Sequence, residues 1–166
     1  MTRNKRALWL LLTIGVAALD LWSKSVWDYP AIGHAPFVQE VVFESWLQIS
    51  TVWNTGGVWS LPLAASILLW ATVGAIPLVV IWIFWPDKTN RIDTAAKALI
   101  LGGAIGNLYD RAKWGAVRDF IDVYFGGVEG WHWPTFNVAD MALMCGIGLL
   151  IVMGFREPAK KQEAAA

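Results

Sequence analysis

Long apolar stretches alternate with short polar ones along this chain, and four of them reach the roughly 20 residues that a helix needs to cross a hydrocarbon core about 30 Å thick. They cover approximately residues 6–27, 61–85, 94–114 and 136–155. Between the first two, the segments Phe37–Phe43 and Trp46–Trp53 are β-branched and aromatic with partial alternation, which predicts a small sheet. The segment from about Gly115 to Thr135 is Gly- and Trp-rich around Gly126-Gly127 and Gly130-Trp131-His132-Trp133-Pro134, and reads as a mobile loop. The pattern predicts an all-α membrane protein of four transmembrane helices, with a small outer β-sheet and an outer loop or helix. One integral membrane domain then spans residues 1–166.

Composition agrees with that class. The chain is 57% hydrophobic with 12 Trp and only 16% charged residues, too apolar for an ordinary soluble domain. Arg3, Lys5 and Arg6 precede the first stretch, Lys88 and Arg91 lie between the second and third, and Arg156, Lys160 and Lys161 follow the fourth. Positive flanks mark the cytoplasmic side, so both termini are expected there. Residues 28–60 carry Asp28, Glu40 and Glu44 but no Lys or Arg, as an outer segment should. Asp20 and Lys24 interrupt the small-residue context of a cleavable signal peptide, so the first stretch is expected to be retained. A formal net charge of zero, without a basic aromatic patch, argues against nucleic acid as a partner. The lone Cys145 lies in an apolar run and reads as packing.

The remaining polar residues stand where they are expensive, since an ionisable group at a membrane boundary must be paired or wet. Asp20 and Lys24 are spaced i,i+4 and can pair on one helical face, a structural role. Gly102 and Gly106 make a small-xxx-small face for close helix approach. Asn107 and Arg111 are again i,i+4; Arg111 either anchors the interface paired with Asp110 or grips a substrate carbonyl or lipid phosphate. Asn54, in Asn54-Thr55-Gly56-Gly57, either forms a turn or offers its amide to a peptide backbone. Asp140 either completes a capping box begun by Asn137 or does chemistry, and Asp119 is either neutralised by Arg118 or does chemistry with it. Two carboxyl groups brought together at such a boundary share a proton, the arrangement of an aspartic protease.

Taken in order, Asp-x-x-x-Lys at 20–24, Asn-Thr-Gly at 54–56, Gly-Gly-Ala-Ile-Gly-Asn-Leu-Tyr-Asp-Arg at 102–111, Val-x-Asp-Phe-Ile at 117–121 and Phe-Asn-Val-Ala-Asp at 136–140 resemble the bacterial lipoprotein signal peptidases, or signal peptidase II. That resemblance implies an inner-membrane aspartic endopeptidase that cuts prolipoproteins on the amino side of a diacylglyceryl-modified cysteine, with the sheet and loop in the periplasm. It implies Asp119 and Asp140 as the catalytic dyad, Asn54, Asn107, Arg111 and Asn137 around the substrate, and Asp20, Lys24 and Gly106 in support. Prolipoproteins and membrane lipids are the implied partners, the active site faces the periplasm, and the enzyme is expected to act as a monomer. No cofactor or metal is implied, since His34 and His132 are isolated and no His-Glu-x-x-His motif exists. Arg118, Leu21 and Gly57-Val58-Trp59 depart from the family pattern; Arg118 places a cation beside Asp119, and Asp122 is a competing carboxylate. A presenilin-type protease would need Gly-x-Gly-Asp, which is absent, and a proton-coupled transporter would place its acids at the bilayer midplane.

Overall fold

A computed structural model describes residues 3–56, single helical positions between 67 and 81, and residues 91–163. Among the described residues the elements run α1 (Arg3–Ser25), β1 (Phe37–Phe43), β2 (Leu47–Asn54), α2 (Arg91–Trp114), β3 (Val117–Phe125), β4 (Trp131–His132) and α3 (Val138–Glu163). The four strands form one antiparallel sheet in the order β1-β2-β3-β4.

Helix α2 lies between α1 and α3, and glycines set how closely they approach. A Cβ on Gly102 would strike Val16 and the Thr13 carbonyl of α1, and one on Gly106 would strike the Asp20 carboxylate. Both therefore belong to one α1-facing stripe, as their spacing implies. One residue round the helix, a Cβ on Gly103 would meet the Ala139 carbonyl of α3. At its end α2 stops at Gly115, whose φ of 72° suits glycine and whose N–H returns to the Arg111 carbonyl at 3.0 Å. The chain thus reverses at once into β3, laying Val117–Asp119 back beside the last turns of α2.

The interior has two characters. Trp9, Ala98 and Leu101 form an apolar cluster with Leu12 and Val80 against it. Elsewhere the fully buried side chains are largely polar: Asp20, Lys24, Thr51, Asp110, Asp119 and Asn137. Burying so many polar groups is tolerable only if each is hydrogen-bonded or paired.

The expected all-α architecture with four transmembrane helices is not what the structure contains. Among the described residues, three helices and a four-stranded sheet make it a mixed α and β fold, and none of these helices is long and apolar enough to cross a membrane. The sheet is larger than expected because the β-branched and aromatic run Val117–Phe125 pairs beside β2 as a further long strand, and charges lie within α1 (Asp20, Lys24) and α2 (Asp93, Lys97, Asp110, Arg111). Helices do occupy most of the apolar stretches predicted at 6–27, 94–114 and 136–155. The stretch predicted at 61–85 lies outside the described residues, apart from isolated helical positions. The sheet predicted over 37–53 is present as β1 and β2. Residues 115–135, expected as a mobile loop or helix, instead supply β3 and β4. Cys145, expected in packing, is exposed on α3.

Candidate active site

Three separate elements deliver the polar residues to one place. Strand β3 carries Asp119, paired across the sheet with Val52 of β2, and the end of β2 brings Asn54 opposite Val117. The segment leading into α3 is pinned to β3 at Phe136: its carbonyl accepts from the N–H groups of Phe120 and Ile121, and its N–H donates to the Ile121 carbonyl. That short bridge places Asn137 and Asp140, the first residues of the next helix, against Asp119.

Asn137 caps α3 and also ties the two acids together. Its Oδ1 accepts from the Asp140 N–H at 3.0 Å, while Asp140 Oδ2 accepts from the Asn137 N–H at 3.2 Å. This is the reciprocal capping box that the spacing allows. Its Nδ2 meanwhile donates to Asp119 Oδ1 at 2.6 Å. Asp119 Oδ2 accepts from Asn54 Nδ2 at 2.9 Å, and Asp140 Oδ1 accepts from Asn107 Nδ2 at 2.8 Å. Each carboxyl group is therefore oriented by two neutral donors, and no cation forms an ion pair with either among the described residues.

The two acids differ in access. Asp119 is 1% exposed, whereas Asp140 is half-buried. Burial, and next the neighbouring charge of Asp140, pushes the Asp119 pKa up to about 8, against the lowering effect of the Asn54 and Asn137 hydrogen bonds. Arg118 does not hold Asp119 ionised as its sequence position suggested. It points to the other side of the alternating strand and grips Asp110, through Nη2 at 2.8 Å and its backbone N–H at 3.0 Å.

Behind the acids lies a charged network. Lys24 Nζ sits 2.7 Å from Asp20 Oδ2, 2.9 Å from Asn107 Oδ1 and 3.3 Å from Asp110 Oδ2, with no exposed surface on Lys24, Asp20 or Asp110. The other Asp20 oxygen accepts from the Ala139 N–H of α3 at 2.8 Å, so this carboxylate joins α1 to the positive end of another helix. Gly106 is bare because the Asp20 carboxylate occupies the space of its Cβ.

Arg111 is half-buried and, among the described residues, its guanidinium forms no hydrogen bond or ion pair; its expected pairing with Asp110 is absent because Arg118 and Lys24 occupy that carboxylate. Asn54 satisfies both of its expected readings, since its Oδ1 accepts from the Gly56 N–H in a turn while its amide reaches Asp119. Asp122 is held elsewhere, by Gln48 Nε2 at 2.7 Å and His132 Nδ1 at 2.8 Å, and does not join the pair. Sequence reasoning missed the Asp110–Arg118 pair; its signal was Gly115 between a helix and a β-branched run. It also missed Tyr29, whose hydroxyl is buried without a hydrogen-bond partner among the described residues and whose ring packs on Trp53 at 5.4 Å. Among the described residues no three His, Cys, Asp or Glu side chains converge as a metal site.

Residues 12–156 match the family Peptidase_A8, described as Signal peptidase (SPase) II. The chain is 36% identical over 149 residues to a lipoprotein signal peptidase of Francisella tularensis subsp. novicida (strain U112), covering 86% of this chain and 88% of that relative. It is 34% identical over 158 residues to one of Yersinia pseudotuberculosis serotype O:1b (strain IP 31758), covering 92% and 89%. A solved structure described as a bacterial membrane enzyme, determined by the in meso method at 2.3 Å, superposes with a TM-score of 0.76 at 27% identity, covering 93% of this chain and 92% of that one. With the family matched over most of its length and its polar motifs gathered around two carboxyl groups, the chain belongs to the signal peptidase II family.

Proposed function

We propose that Asp119 and Asp140 are the catalytic dyad with which this peptidase removes signal peptides from prolipoproteins. The observation that carries the reading is Asn137, which donates its amide to one carboxyl group and shares a capping box with the other, holding two acids together without a cation. Asp119, the more deeply buried acid, keeps the shared proton and donates a hydrogen bond to the scissile carbonyl. Asp140, more open, accepts a proton from the attacking water, giving a tetrahedral gem-diol intermediate that collapses with transfer of a proton to the leaving amine. Asn54, Asn107 and Asn137 bound the substrate site while orienting the acids, and the unpaired guanidinium of Arg111 reaches for a substrate carbonyl. Asp20, Lys24 and Gly106 support the site from behind.

The substrate is cut on the amino side of its diacylglyceryl cysteine, and the enzyme works as a single copy, one domain placed as a multi-pass protein in the bacterial inner membrane. Both termini lie on the cytoplasmic side and the dyad opens toward the outer face, a placement supported by the basic flanks at either end of the chain. Membrane lipids are the surrounding partners. Asp119→Asn and Asp140→Asn should each abolish cleavage of a lipidated precursor, a loss of about a hundredfold or more, because an amide is neither base nor proton donor to a leaving amine. The protein should remain folded and membrane-bound. Asp122→Asn, whose carboxylate serves Gln48 and His132, should retain activity. Substantial cleavage by either dyad variant at matched expression rejects the assignment.

A further inference from the structure

Lys24 makes more contacts than an ion pair requires. An ammonium has three donors and no acceptor, and two of them meet oxygens here, Asp20 Oδ2 and Asn107 Oδ1, while Asp110 Oδ2 stands 3.3 Å away as a second ion-pair partner. The second of these is a neutral amide that itself touches a dyad acid. Asn107 Oδ1 accepts from both Lys24 Nζ and Asn137 Nδ2, at 2.9 and 3.2 Å, leaving its Nδ2 to face Asp140 Oδ1 at 2.8 Å.

A carboxamide has nearly the same shape after a half turn, so packing alone does not choose between its two orientations. Turned over, Asn107 would present its NH2 group to an ammonium and to another NH2, and its oxygen to a carboxylate oxygen. We propose that Lys24 is a positioning residue for hydrolysis, fixing the Asn107 amide so that its N–H points at Asp140. This inference rests on the reading of Asp119 and Asp140 as the dyad.

The distance from the acids matters as much as the contact. An ammonium bound directly to Asp140 or Asp119 would hold that acid ionised and destroy the shared proton. One amide further back, the same charge polarises the N–H donor without pairing with the acid. The local charges agree with this. Asp20 and Asp110 are matched by Lys24 and Arg118, so the network behind the dyad is neutral, and the remaining cation whose charge acts on the two acids is Arg111, on the substrate side.

The test uses full-length enzyme in detergent, with a lipidated precursor and two variants. In Lys24→Met, kcat should fall about tenfold or more with KM nearly unchanged, the signature of an effect confined to the chemical step. The rising acid limb of the kcat profile should move to higher pH by about one unit, since loss of a nearby positive charge makes ionisation of the dyad harder. The double variant Asp20→Asn/Lys24→Met carries no buried aspartate deprived of its lysine on α1 and leaves the charge behind the dyad balanced, so it should recover folded protein and move the acid limb back toward wild type while kcat stays about tenfold low, because Asn107 still lacks its ammonium partner. A residue that only holds the helices together would change the amount of folded enzyme and leave the profile of the active fraction where it was; that result overturns the proposal. In wild-type enzyme, independently of any variant, the Asn107 side-chain amide should show a through-hydrogen-bond coupling to the Asp140 carboxyl carbon. A rotating or reversed amide overturns the proposal even if neither variant folds. Retention of activity by Asp119→Asn would instead reject the dyad reading, so the two failures are distinguishable.

Discussion

The acid that carries the most consequence is Asp119, because it is buried with a hydrogen-bond donor on each oxygen and a second carboxyl group beside it. Its pKa lies at about 8 in the folded chain against an ordinary 3.8, and that difference makes folding depend on pH. Between those values the folded protein keeps the proton and the unfolded chain releases it, so stability falls as pH rises from about 4 to about 8 and levels off above. Activity should follow a related course: above about pH 8 the pair loses its last proton, no donor remains for the scissile carbonyl, and kcat declines. Asp119→Asn should flatten most of the stability change over this window, seen as a melting temperature that drops less between about pH 4 and 8 than in wild type, while cleavage is lost. A melting temperature for wild type that rises across the window contradicts this account. Asp119 also shows why an adjacent residue can mislead. Arg118 is its neighbour in sequence, but alternation along β3 sends the guanidinium to Asp110 instead.

At the level of elements, the helices were readable because their apolar runs are long, and β1 and β2 because β-branched and aromatic residues cluster there. Strand β3 was not, because its buried positions, Val117, Asp119, Phe120, Asp122 and Tyr124, lie on both sides of the strand and include two carboxylates, so no clean alternation shows. One of them, Asp119, belongs to the candidate site and the other, Asp122, to Gln48 and His132, so motif order pointed to Asp119 while periodicity missed the element that holds it. Nor could spacing reveal that Asn107 bridges Lys24 to Asp140, which depends on a helix packing at Gly106 and a reversal at Gly115. The β3–β4 hairpin carries its own titration. His132 has Asp122 Oδ1 at 2.8 Å from Nδ1 and the Val128 carbonyl at 2.9 Å from Nε2, so both nitrogens face acceptors and the doubly protonated ring fits best. The Val128 carbonyl first, then Asp122, and more weakly Glu129, raise its pKa above the usual value, while the ring of Tyr124 packs against it. A raised histidine pKa contributes stability that is full below the unfolded value near 6.5 and is lost as pH rises through the folded value. Amide exchange in residues 123–133 should therefore quicken between about pH 6 and 8, by under ~1 kcal/mol of local stability for a pair this open to solvent. His132→Gln should remove that pH dependence; an unchanged profile in the variant counts against it.

For the molecule as a whole, the outer surfaces of the helices are apolar to a degree that needs a partner. Met141, Met144, Ile147 and Ile151 form an exposed stripe at helical spacing on α3, and Leu11, Ile14 and Trp22 do so on α1. The α3 stripe begins at the residue after Asp140, so an apolar chain lying along it would end beside the dyad. A diacylglyceryl cysteine supplies two such chains joined directly to the residue after the scissile bond. In the proposed membrane placement each acyl methylene inserted into the bilayer contributes about 0.8 kcal/mol to anchoring the precursor there, which confines the scissile bond to the depth of the acids, and the stripe offers those chains a packing surface. On the proposed reading, this anchoring sets the depth and direction of an otherwise flexible peptide before it meets the proposed substrate groups. The lipidated precursor should therefore be processed at least about a hundredfold faster, in kcat/KM, than the same precursor without lipid. Met144→Lys and Ile147→Lys, placed on the stripe away from the acids, should narrow this preference by slowing the lipidated substrate alone. A time course of precursor mobility on gels, with both substrates in liposomes at matched enzyme, measures the ratio. Equal rates would separate the acids from the apolar stripe and leave lipid recognition to another part of the chain.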